Sequence, residues 1–121
     1  MVISLNDLRS DEFDILQILY KRIEPDIESG ILKPKDYHRA NLISVEPSTF
    51  KMKCENCGNN DYCKDCNDKL KDSLSFLKDN GFIDFDFDTN RNRGEHPYSF
   101  TNCKLTSQCI EALQELRSNN G

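Results

Sequence analysis

A chain of 121 residues with a net charge of −5 and six cysteines is long enough for one modest core, and too acidic to coat nucleic acid indiscriminately. No apolar stretch approaches a membrane span, and the start of the chain lacks a basic-then-apolar signal pattern, so a cytoplasmic, reducing compartment is expected. Such a compartment disfavours disulfides as the use of the cysteines.

Residues 10–24 read as the first helix. Ser10 is placed to cap it, Asp11 and Glu12 suit the positive end of its dipole, and Ile15, Leu16, Leu19 and Ile23 recur at helical spacing. Pro25 is expected to end it. Pro34 can open a second helix, with Tyr37, Ala40 and either Leu42 or Ile43 turned inward. Beyond Pro47, Ser48 or its neighbour is placed to cap a third helix, which the cysteines interrupt at once.

A helical pattern resumes near Asp65: Leu70, Leu74 and Leu77 share one face, and Asn80-Gly81 form a stop signal. The run Phe82 to Asp88 then alternates with period two, with Ile83, Phe85 and Phe87 on one face and Asp84, Asp86 and Asp88 on the other. Thr89 to Pro97 reads as a loop, and Tyr98-Ser99-Phe100 begins the returning strand of a hairpin. Thr106 caps a last helix whose apolar stripe is Cys109, Ala112, Leu113 and Leu116, and residues 119–121 are expected to fray.

Four cysteines fall within thirteen residues, as Cys54-x-x-Cys57 and Cys63-x-x-Cys66. Each pair can turn two sulfurs toward one point, and two pairs supply the four thiolates of a tetrahedral zinc. Gly58 and Asn67, which follow the pairs, tolerate a left-handed backbone. With every ligand position taken by protein, such a site is structural, since catalytic zinc keeps one position open. An iron–sulfur cluster, a redox dithiol and unligated thiols are the alternatives. The short spacer, Gly58 to Tyr62, favours a local clasp over residues 54–66 rather than a separate zinc domain. Cys103 and Cys109 do not repeat the spacing and read as buried packing residues.

Charge is distributed in blocks. Residues 33–53 carry five basic groups against two acidic ones, whereas residues 1–28 sum to −4 and residues 54–90 to −5. Four thiolates around a zinc would add about −2 to the last of these. A solvated face is the plain reading of any such block.

The order of these elements resembles a winged helix-turn-helix domain of the kind found in MarR- and PadR-type regulators. Ala40-Asn-Leu-Ile-Ser-Val-Glu-Pro-Ser-Thr-Phe50 resembles that superfamily's second helix, turn and start of the recognition helix. Leu74-Ser-Phe-Leu-Lys-Asp-Asn-Gly-Phe-Ile83 resembles the end of the recognition helix and the first wing strand, and Leu105 through Leu116 the helix after the wing. The chain departs from the pattern in its cysteine cluster, and at Cys109, where relatives commonly have Gly. The resemblance implies a single α+β, mostly helical domain over residues 1–121, with a two-stranded wing at about 82–104.

It also implies binding of double-stranded DNA in transcriptional control. Lys51, Lys53, Arg91 and Arg93 would contact phosphates, and Ser48 and Thr49 would reach phosphates or bases. A homodimer is compatible with this reading. The alternative is a protein-interaction module that binds a partner through the Asp84, Asp86 and Asp88 face; that row also reads as charge protecting an edge strand. A metal or redox sensor is a third possibility. An enzyme is not expected, because His38 and His96 accompany no nucleophile pattern and no phosphate-binding glycine loop occurs.

Overall fold

The computed structural model describes residues 3–40, 42–55, 61–88 and 98–120. Three helices and a three-stranded antiparallel sheet follow in the order α1 (Ser10–Glu28), β1 (Ile43–Val45), α2 (Lys64–Asp79), β2 (Ile83–Asp88), β3 (Ser99–Leu105) and α3 (Ser107–Asn120). Short 3-10 turns lie at Leu5–Asp7, Pro34–Arg39 and Pro47–Phe50. The fold class is therefore α+β and mostly helical, as the sequence led us to expect.

Helix α1 starts at residue 10 as expected, with Arg9 rather than Ser10 at its N-cap, and runs through Pro25 instead of stopping there. Proline in a helix interior costs about 3 kcal/mol. The added turn lets Ile27 pack against the core, recovering part of the about 1.5–3 kcal/mol that a buried aliphatic contributes. The helix ends at Glu28, and the chain turns away at Gly30, whose φ of +83° only glycine adopts freely. Ile15, Leu16, Leu19 and Ile23 of α1 are buried, as the spacing required, and Tyr20 is buried with them.

The expected second helix is only a 3-10 turn. Tyr37 and Ala40 do face inward, but Leu42 is exposed and Ile43 begins a strand. The β-branched pair Ile43 and Val45 suits a strand better than a helix end, and β3 offers an edge to pair with. The registers are Ile43 opposite Cys103 and Val45 opposite Phe100, with an irregularity between them. This third strand, lying beside β3 in the order β1-β3-β2, adds to the two-stranded hairpin read from sequence.

Strand β2 keeps the predicted alternation, with Ile83 and Phe85 buried, Phe87 half-buried, and Asp84, Asp86 and Asp88 exposed. Its pairing with β3 shifts between Asp84 and Asp86. There Asn102 takes a φ of +53°, a conformation asparagine tolerates, and its Nδ2 donates to the Asp86 carboxylate at 2.7 Å. Leu70, Leu74 and Leu77 of α2 and Cys109, Ile110 and Leu113 of α3 complete one core with α1 and the inner sheet face. Ile110 belongs to the α3 stripe, whereas Ala112 and Leu116 are only half-buried.

Candidate metal centre

The expected third helix is also reduced to a single turn. Over Pro47–Phe50 the Glu46 N–H donates to Thr49 Oγ1 at 3.0 Å, and Lys51 closes the turn in the left-handed region at a φ of 56°. The chain then runs to Cys54 with Met52 buried beneath it. Cys63 stands at the N-cap of α2, and Cys66 sits in that helix's first turn, fully buried.

These two segments bring Cys54, Cys63 and Cys66 together. Their Sγ atoms all lie within 4.8 Å of one another, and those of Cys54 and Cys63 are 3.5 Å apart. Sulfurs bonded at about 2.3 Å to a tetrahedral ion stand roughly 3.8 Å from each other. The three thiols therefore form a group that can hold a metal ion, and none of the five described cysteines is in a disulfide. Cys57, the fourth ligand expected from sequence, lies outside the described residues, as do Arg91 and Arg93.

Hydrogen bonds from two further residues surround the cluster: Asn67, expected from sequence only as a left-handed position after the second cysteine pair, and Asp61, which the sequence did not single out. Asn67 is buried, 1% exposed, and its Nδ2 donates to the Cys63 carbonyl at 2.8 Å and to the Asp61 carbonyl at 3.1 Å. It lies within α2 and not in the left-handed turn expected after the second cysteine pair. Its position on the Leu70–Leu74–Leu77 face was the available signal, because a polar group there is buried and must find partners. Asp61 in turn accepts from the Ser48 N–H at 2.8 Å and from the Ser48 hydroxyl at 2.7 Å.

Of the residues expected to touch nucleic acid, Ser48 and Thr49 thus also hold the local backbone. Lys51 and Lys53 are exposed and line, with Lys69, a groove of about 180 Å³. Asp11 and Asp14 of α1 line the same groove, so it presents charges of both signs. On the outer sheet face, Asp84 pairs with Lys78 at 3.5 Å and Asp86 accepts from Asn102.

The other two cysteines are sealed in the core. Burial pushes the thiols of Cys103 and Cys109 up to about 12, which keeps them neutral and unreactive. His38 is exposed on the Pro34–Arg39 turn, its Nε2 accepting from Arg39 Nε at 3.2 Å; His96 lies outside the described residues. No helix of the described residues is long and apolar enough to cross a membrane.

Comparison with protein-family models, with curated proteins and with solved structures finds no match to this chain.

Proposed function

We propose that this chain is a zinc-stabilised winged-helix domain that binds double-stranded DNA in transcriptional control. One observation carries the reading: β1, which precedes the metal segment in sequence, joins the later β2–β3 hairpin in the order β1-β3-β2. With α1 before β1, α2 before β2 and α3 after β3, this order supports a winged helix in which a single α-helix, α2, lies between β1 and β2. In this reading α2 is the helix presented to the duplex, and the metal clasp replaces the short helix that normally precedes it. Arg91 and Arg93, in the connection between β2 and β3, would serve as the wing contacts.

Zinc is the ion the donors fit best. Thiolate sulfur favours zinc or iron–sulfur chemistry over hard cations, and a Cys-x-x-Cys pair at a helix start suits a single tetrahedral ion. With Cys57 as the fourth ligand, the ion would tie the segment after Lys53 to the first turn of α2. Zinc with four thiolates carries about −2, so phosphate attraction must come from Lys51, Lys53, Lys69 and the wing arginines rather than from the metal.

The test is fluorescence anisotropy of zinc-loaded protein with duplex DNA across a salt series. Each phosphate contact contributes about −0.9 to the slope of log affinity against log salt, so K51E/K53E should flatten that slope by about 2 and weaken binding. No binding at low salt would overturn the reading. The exposed row of Asp84, Asp86 and Asp88 favours a basic protein partner as the second reading, and that outcome would promote it.

A further inference from the structure

We infer that Asn67 is a positioning residue of the metal centre, and that Asp61 links the centre to the turn bearing Ser48. This rests on the metal-binding reading of Cys54, Cys63 and Cys66. Asn67 is one of three buried polar or charged residues among those described, and its place on the leucine face of α2 would otherwise suit an apolar side chain. Its side-chain amide meets two backbone carbonyls, those of Asp61 and Cys63, while its backbone N–H also donates to the Cys63 carbonyl at 3.0 Å.

The geometry has a direct consequence for the sulfurs. Cys63 precedes α2, and its backbone orientation decides whether its Sγ meets that of Cys66 in the first turn. By gathering the Asp61 and Cys63 carbonyls onto one amide, Asn67 fixes the bend by which the chain enters the helix. An aspartate at this position would set an anion against two carbonyl oxygens beside a cluster of thiolates. Asparagine supplies the two donors with no charge.

Asp61 extends the brace outward. Its carbonyl is held by Asn67, while its carboxylate accepts both the N–H and the hydroxyl of Ser48, thirteen positions earlier. Ser48 lies in the Pro47–Phe50 turn, which leads through Lys51 and Lys53 to Cys54. The two halves of the clasp therefore meet twice, once where the sulfurs converge and once through the Asp61–Ser48 hydrogen bonds. Ordering one connection lowers the entropy lost on forming the other.

The experiment compares zinc affinity, by competition with a chromophoric chelator, in the parent, Asn67→Ala and Asp61→Ala. Metal-free melting temperature is measured alongside. Outer-shell partners of this kind typically change metal affinity by about 10–100-fold, and Asn67→Ala should weaken zinc within that range. Asp61→Ala keeps the backbone carbonyl, so it should speed zinc loss to chelator by a smaller factor while the metal-free protein melts as the parent does. A merely structural role would lower metal-free stability and leave zinc affinity unchanged, and that result would overturn the inference. Should Asn67→Ala fail to fold, Asp61→Ala decides: zinc loss at the parent rate overturns it. A parent chain that binds no zinc would instead remove the metal reading itself.

Discussion

The Thr106 hydroxyl donates to the carbonyl oxygen of Gly81 at 2.7 Å, joining the start of α3 to the turn that ends α2. Thr106 Oγ1 also accepts the Cys109 N–H at 3.2 Å, the bond expected of a helix N-cap. A second bond in the same direction runs from the Thr106 N–H to the Phe82 carbonyl at 3.0 Å. One side chain thus closes α3 and fixes where the hairpin leaves α2.

Thr106→Ala removes the cap and leaves the Gly81 carbonyl without this donor. Caps and such hydrogen bonds contribute about 1 kcal/mol each, so a loss of about 1–2 kcal/mol is expected in urea unfolding. Thr106→Ser should recover most of it. Equal loss in both variants would show that the methyl group, not the hydroxyl, matters.

Metal should contribute directly to stability, because an ion held only by the assembled ligands adds its binding free energy to folding. Cys54 is only half-buried, so Cys54→Ser changes little packing and isolates the loss of a ligand. Losing several kcal/mol would lower Tm by on the order of 10 °C or more in a domain this size. Chelator should produce a similar drop in the parent and little further drop in the variant. A variant melting with the parent, in zinc and in chelator alike, would refute a folding role for the cluster.

Thiol reactivity should divide the cysteines into two classes. In metal-stripped but folded protein, an aromatic disulfide reagent should modify Cys54 and Cys63 readily, and Cys103 and Cys109 only on unfolding. Both core thiols are held neutral with pKa raised from 9.0 to about 12. A raised folded value means their contribution to stability is complete below pH about 9 and is lost as pH climbs toward 12. Rapid labelling of Cys103 in the native state at neutral pH would contradict the sealed core.

Acid should act through Asp68. Tyr98 OH donates to its carboxylate at 2.5 Å and Lys64 Nζ at 2.9 Å, and these bonds, Tyr98 first, hold Asp68 below its ordinary 3.8. A depressed folded value stabilises the protein fully above that pH, and the contribution fades as pH falls below it. The carboxylate is well exposed to solvent, so the effect is modest. Asp68→Asn and Tyr98→Phe should each flatten the acid limb of Tm against pH below about 4. An unaltered limb in both would assign acid sensitivity to other carboxylates.

Much of the fold was legible because hydrophobic period translates directly into burial. Leu70, Leu74 and Leu77 lie on one face of α2, and Ile83 and Phe85 on one face of β2, as spacing alone required. The elements misjudged are short. The Pro34–Arg39 and Pro47–Phe50 turns contain helix-start signals yet have too few residues to sustain an α-helix, and Ile43–Val45 is a strand of three residues with no periodicity to read. Pro25 misled because local propensity was outweighed by packing of the turn beyond it.

Within the candidate site, spacing alone nominated Cys54, Cys63 and Cys66, since two Cys-x-x-Cys turns need little beyond local geometry to converge. Their braces were not legible in that way. Whether Asn67 is buried and meets two carbonyls, or Asp61 reaches Ser48, depends on how the metal segment folds back against the earlier turn. The amino-acid sequence by itself determined the helix and strand faces, the capping threonine and the thiol cluster, all properties of a few neighbouring residues. Only the tertiary structure decided that β1 completes the sheet, that α1 passes through its proline, and that Asn67 and Asp61 hydrogen-bond to the backbone around the cysteines. These depend on partners distant along the chain, whose burial and hydrogen-bond gains exceed local preference.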